Sequence, residues 1–251
     1  GINEPIFAAA LSEWQVRTGV TLEQQKPPPT AQKVWDAPLV KAQEVKVSAA
    51  APDQAGKARL IAATAPHSGA FLHARPCASL GTRLDNSSLR IAVALRLGAP
   101  VCLPHTCVCG APVDNTGRHG LSCRKSAGRL SRHSAVNELI KRALMSAEIP
   151  SRLEPTSLAQ HNDRRPDGMS LTPWTQGRCL AWDFACPDTF APSHLNIAVN
   201  GPGVVANEAE EKKRAKYACL TSTFRFVPIA VETLGSLGDE ADNFIHDLGR
   251  R

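Results

Sequence analysis

The sequence predicts a mixed α/β protein with a helical N-terminal region and a small cysteine-rich module ahead of its sheet, and three observations carry that prediction. Apolar residues recur at helical spacing over 130–148, with Val136, Leu139, Ile140, Ala143, Leu144 and Ala147 forming one face. The period then changes, and short strand-like segments near 152–156, 168–171 and 179–186 are separated by Pro, Gly, Asn and Asp. Four of the eight cysteines fall between Cys102 and Cys123, just ahead of these elements. A charged helix at 208–220, a strand at 224–231 interrupted by Pro228 and an amphipathic helix at 239–248 complete the order α, β, β, β, α, β, α.

From the start of the chain, residues 6–20 carry a weak helical pattern that runs into Pro27, Pro28 and Pro29, where missing amide protons and a fixed φ stop a helix. Residues 48–56, small and unpatterned, read as a linker or surface loop. A further helix is expected from Asp85, with Asp85 or Asn86 as its cap and Gly98 followed by Pro100 at its end. The organisation read from these signals is an N-terminal helical and linker region at 1–56, a helical segment at 57–98, a cysteine module at 99–125 and the α/β region at 126–251. At 251 residues and 43% hydrophobic the chain can bury one sizeable core plus an appendage. It has no run of 18 apolar residues and no secretory leader, so a membrane-spanning or secreted disulfide-bonded class is not expected. Beginning with Gly1, it reads as an internal or C-terminal piece of a larger soluble protein.

The net charge of +6 is unevenly distributed. Residues 118–142 hold Arg118, Arg124, Lys125, Arg129, Arg132, Lys141 and Arg142 against the single acid Glu138. Two readings stand equally on composition: a solvated helix face, or a phosphate-contacting surface on which Lys and Arg release counterions.

Cys107-x-Cys109 followed by His119-x3-Cys123 supplies two ligand pairs across a nine-residue gap, the arrangement that closes a tetrahedral Zn²⁺ site. Thiolate and imidazole are the ligands Zn²⁺ prefers, and its binding can fold a segment too small for its own core. Cys102 and His105 lie close enough in sequence to replace a member of the first pair. Buried free thiols are the plainer alternative, although clustering with His119 in a Gly-rich loop favours metal. Four protein ligands make such a zinc structural rather than catalytic.

The acidic constellation lies further on. Asp167, in the run Arg164-Arg165-Pro166-Asp167-Gly168, and Asp183, in Leu180-Ala181-Trp182-Asp183-Phe184, are 16 residues apart at the ends of two adjacent strands. Carboxylates so placed suit Mg²⁺, which takes one or two of them and keeps several waters. Lys213 and Lys216, one helical turn apart, offer a cation; Glu138 could complete the metal shell, and Arg132 with His133 could contact phosphate or relay protons. Taken singly, each of these residues has an ordinary structural explanation. An Asp within the apolar strand 180–185 is the most demanding, because burying it is costly unless something binds it.

The runs CVCG to HGLSC, RHSAVNELI, RRPDG, LAWDF and EEKKRAKY, spanning residues 102–217, together resemble the zinc-knuckle and restriction-like endonuclease region at the C-terminal end of reverse transcriptases from site-specific non-LTR retrotransposons. The resemblance implies a PD-(D/E)xK core of order α-β-β-β-α-β behind a zinc knuckle. Within it Asp167 and Asp183 would be Mg²⁺ ligands, the catalytic lysine would come from Lys213 or Lys216, and Arg132 and His133 would support them. It implies a nuclear endonuclease that nicks target DNA so that the polymerase domain of the parent polyprotein can prime on it. Arg124, Lys125, Arg129, Arg132, Arg164 and Arg165 would face DNA, with the element's RNA as a further partner. Ala185 stands where the strand motif of PD-(D/E)xK nucleases carries lysine, which moves that role to the helix. No Tyr-x-Asp-Asp polymerase motif occurs in the chain. The competing expectation is a catalytically inactive zinc-dependent nucleic-acid-binding module derived from such an element.

Overall fold

The computed structural model of the chain describes residues 4–21, 31–126, 128–158 and 165–251. It divides into two units, Gly1–Asp53 and Gln54–Arg251. In the first, α1 (Glu4–Thr18) packs on α2 (Gln32–Ala49) through an edge-to-face pair of Trp14 and Trp35, whose ring centroids are 5.2 Å apart, and the Trp14 indole donates to the Trp35 carbonyl at 2.9 Å. The α2 helix continues through Pro38. Pro27 to Pro29, where a helix break is expected, lie outside the described residues. The anticipated linker over 48–56 is shorter than expected, because α2 runs to Ala49 and only four residues separate it from α3 (Gln54–Thr64).

The second unit continues through a 3₁₀ turn at Ala70–Leu72 to α4 (Asn86–Leu97). The α4 ends are those read from the sequence: the Asp85 side chain accepts from the Ser87 and Ser88 amides, and Gly98 closes the helix at φ 72°. Next come a two-residue hairpin of β1 (His105–Thr106) and β2 (Pro112–Val113), the short α5 (His119–Ser122) and α6 (Gly128–Ser146). The remainder is β3 (Ser151–Leu153), β4 (Gly168–Thr175), β5 (Arg178–Ala185), α7 (Leu195–Ala198), α8 (Val204–Lys216), β6 (Arg225–Ala230) and α9 (Asp239–Gly249).

The four strands β3 to β6 form one mixed sheet in the order β3-β4-β5-β6, antiparallel except that β5 and β6 are parallel. Gln176 and Gly177, at φ 50° and 72°, make the tight turn between β4 and β5. Two residues of positive φ twist a hairpin in the sense its strands require. A parallel pair cannot be joined so tightly, and the chain between β5 and β6 instead includes α8. Pro228 pairs with Asp183 without ending β6, because β6 is the edge strand and its unpaired side needs no proline N–H.

The core forms where α6 and α9 meet the sheet: Ile140 and Leu144 of α6 and Phe244 of α9 cluster with Leu180, Trp182 and Phe184 of β5 and Val227 and Ile229 of β6. Gly168 is required there, because a Cβ would fall 2.1 Å from the fully buried Trp182 ring. Glu210 of α8, 4% exposed, accepts from the Glu240 and Ala241 amides at 3.0 and 2.9 Å and so caps α9 from the side. Leu144 is fully buried, so Leu144→Ala should cost about 2–5 kcal/mol, read as a lower urea midpoint at unchanged slope.

Candidate functional site

The β1–β2 hairpin and α5 gather a Cys3His cluster. Cys107 and Cys109 leave β1 through a turn closed by Gly110 at φ 91°, while His119 and Cys123 bracket α5. One ligand atom from each of the four lies within 4.8 Å of the others, with Cys107 Sγ 3.7 Å from Cys123 Sγ and Cys109 Sγ 3.1 Å from His119 Nε2. This set is compatible with zinc binding, and the two sequence alternatives point elsewhere. The Cys102 thiol donates to the Asp114 carbonyl at 3.3 Å, and the His105 ring sits on the Leu103 carbonyl at 2.8 Å. The Cys109 thiol is lowered to about 7, first by the Ala111 amide and also by the other ligands, which favours the thiolate a metal needs.

The two acids come together where the start of β4 pairs with the end of β5. Asp167 precedes β4, and its amide donates to the Trp182 carbonyl at 3.0 Å, which brings its carboxylate under β5; Asp167 Oδ2 then accepts from the Phe184 amide at 2.7 Å. Asp183 is 3% exposed, and its carboxylate takes the Lys213 ammonium on Oδ2 and stands 2.9 Å from the Tyr217 hydroxyl on Oδ1. That hydroxyl is also 2.8 Å from the Arg165 carbonyl, so two acceptors share its single proton.

A hydrogen-bonded chain reaches Asp167 from α6. The Trp182 indole can only donate, and it does so to Asn137 Oδ1 at 3.0 Å. The Asn137 amide nitrogen therefore faces His133 Nδ1, 3.2 Å away, and makes that nitrogen the acceptor. The proton of a neutral His133 is left on Nε2, 3.1 Å from Asp167 Oδ2. Burial, then the negative charge of Asp183, push the Asp167 carboxyl above the usual carboxylate range, against the Phe184 amide and His133.

The remaining candidates are dispersed. Lys216 stacks its ammonium 4.5 Å over the Tyr217 ring, while Lys213 is the lysine bonded to a carboxylate. Glu138 is solvent-exposed, whereas its neighbour Asn137 is 5% exposed and turned inward; one residue is a 100° step around a helix, and the inward face is already filled by Asn137 and Ile140. The Arg132 guanidinium donates to the Leu121 carbonyl at 2.9 Å and also lines an open recess with His133, Phe184, Cys186 and Lys213. Lys125 bonds the Val108 carbonyl at 3.2 Å, Arg124 is exposed, and Arg165 pairs with Glu154 at 2.5 Å. Arg164 and the side chain of Arg129 lie outside the described residues. Asn137 and Tyr217 had no assigned role in the sequence reading; polar residues on the apolar faces of α6 and of the turn after α8 were the available signal. The chain matches no protein-family model and no curated protein.

Two measurements follow from this geometry. Cys123→Ser should lose one equivalent of zinc relative to the wild type after dialysis, read by elemental analysis, and unchanged content would remove Cys123 from the ligand set. Because the folded Asp167 carboxyl titrates above its unfolded value, its contribution to stability without metal is full below the ordinary carboxylate range and is lost as pH rises through its raised value. Asp167→Asn should flatten that fall in a denaturation series across pH.

Proposed function

We propose that this chain is a Mg²⁺-dependent DNA endonuclease domain of the restriction-like type, with a structural zinc module that helps it hold nucleic acid. The observation that carries the reading is that Asp167, Asp183 and Lys213 come together where the start of β4 meets the end of β5, in a sheet reached in the order α6, β3, β4, β5, α8, β6. The donor set suits a hard divalent ion, since the two carboxylates are near enough for the charge of Asp183 to make Asp167 hold its proton more tightly than an ordinary Asp. Asp167 and Asp183 would hold Mg²⁺, which supplies an activated water and neutralises charge developing on the phosphate.

The protein's own groups have distinct parts in that reading. Lys213 pairs with Asp183, and its ammonium would supply positive charge to a phosphate bound beside that carboxylate. Ala185, small and half-buried beside the recess, leaves room for the helix-borne lysine to work where a strand lysine would otherwise stand. His133, oriented through Asn137 by Trp182, keeps an N–H on Asp167 and fixes which oxygen remains for metal. Arg132, Arg124 and Lys125 offer positive charge next to the recess and the cysteine module for backbone phosphates. The same reading places the domain in the nucleus, acting on target DNA beside the polymerase domain of a larger retrotransposon protein. No described helix is long and apolar enough to cross a membrane.

The alternative is a nucleic-acid-binding module without catalysis, and one observation favours it: both Asp183 oxygens are engaged by protein groups, Oδ2 by Lys213 and Oδ1 by Tyr217. Nicking of supercoiled plasmid separates the two. With Mg²⁺ the wild type should convert plasmid to open circles, Asp167→Ala and Asp183→Ala should abolish this, and Lys213→Ala should reduce it by about 10²-fold or more while Lys216→Ala changes little. Plasmid binding without nicking by the wild type in any divalent metal would establish the binding module instead. Nicking should also weaken as pH falls towards the raised value of Asp167, since protons then compete with metal for that carboxylate.

A further inference from the structure

A second group of metal-ligating side chains lies away from both the Cys3His cluster and the carboxylate pair. His67, Asp242 and His246 each offer one ligand atom, and the three atoms lie within 4.8 Å of one another. Asp242 and His246 are one turn apart on α9, the spacing that puts two ligands on one helix face, and His67 comes from the segment between α3 and the 3₁₀ turn at Ala70–Leu72. Two elements far apart in sequence thus converge.

The segment carrying His67 is pinned without help from a metal. Ser68 Oγ donates to the Ala65 carbonyl at 3.0 Å and accepts from Arg96 at 3.2 Å, and Ser236 Oγ donates across to the Ala62 carbonyl at 3.4 Å. His67 itself is held at φ 63°, with its carbonyl accepting from the Ala70 amide at 2.8 Å. Its ring meets the His246 ring edge-on, with centroids 6.0 Å apart. His246 Nε2 and Asp242 Oδ2 are 3.8 Å apart, beyond a good hydrogen bond. Two ligands each about 2.1 Å from one ion stand at most about 4.2 Å apart, so this separation suits a shared ion. His67 is exposed, and the Asp242 and His246 side chains are 40% and 56% exposed, so small rotations in solvent suffice to bring all three onto it.

We propose that His67, Asp242 and His246 form a binding site for a borderline divalent transition ion such as Zn²⁺, which clamps the segment after α3 onto the C-terminal helix α9. Two imidazoles with one carboxylate select Zn²⁺, Co²⁺ or Ni²⁺ over Mg²⁺ and Ca²⁺, which demand oxygen ligands. Three protein ligands leave a position for water or an external donor. Because the ion binds only where both segments are folded together, it stabilises the folded chain.

The test is a count of zinc by elemental analysis on the full chain after equilibrium dialysis, with excess Mg²⁺ present to occupy hard-ligand sites. Wild type should retain one equivalent more than His67→Ala and one more than His246→Ala. The Cys3His equivalent should remain in both variants and report that they are folded. Added zinc should raise the melting temperature of the wild type, pre-loaded at the Cys3His cluster, and leave that of both variants unchanged. A zinc count in either variant equal to that of the wild type overturns the proposal. So does an unchanged wild-type melting temperature at saturating zinc.

Discussion

The carboxylate of Asp183 lies on an interior strand of the sheet at 3% exposure, and much of the architecture around it answers that one charge. A lone buried carboxylate would be driven to protonate or unfold its strand. Here α8 brings Lys213 to one oxygen and Tyr217, just past its end, to the other. The compensation sets the rotation of α8 against β5, which in turn leaves Lys216 over the Tyr217 ring and Glu210 turned towards α9. A helix that only screened the sheet from water would have no reason to present a cation and a hydroxyl at that register.

The opposite side of β5 is organised by Trp182. Its ring fills the space that Gly168 leaves empty, and its indole N–H starts the chain through Asn137 and His133 to Asp167. Packing and chemistry are joined here: the same indole that anchors the core determines which imidazole nitrogen faces the second acid. Asp167 is less well compensated than Asp183, since its neighbours supply one amide and an imidazole against burial and a nearby negative charge. An uneven pair of acids, one satisfied and one short of positive charge, is an arrangement a divalent cation can complete.

The cysteine module stands on a different physical footing. Its two-residue strands and four-residue helix bury little, and among its cysteines only Cys123 is buried. A segment of that size has little core of its own, and an ion held by its Cys3His cluster would supply order the core does not. Arg132 links it to α6 through the Leu121 carbonyl and at the same time borders the recess with His133 and Lys213.

Much of this was determined by the sequence alone. The Asp85 cap and Gly98 stop of α4, the helical period of α6, the strand segments around 168–185 and the four-ligand spacing are local signals that neighbouring residues decide among themselves. The sequence also singled out Asp183, because a charge in an apolar strand is anomalous whatever surrounds it. It did not reveal α2, over which no helix was expected, nor the choice between Lys213 and Lys216, between Glu138 and Asn137, or between Cys102, His105 and the four clustered side chains. Each of those choices depends on which face of an element meets a partner far away in the chain, as does the approach of His67 to α9. Spacing confines a side chain to a turn of helix, but only the packing of α6 and α8 on β5 decides which residue within that turn reaches the carboxylates.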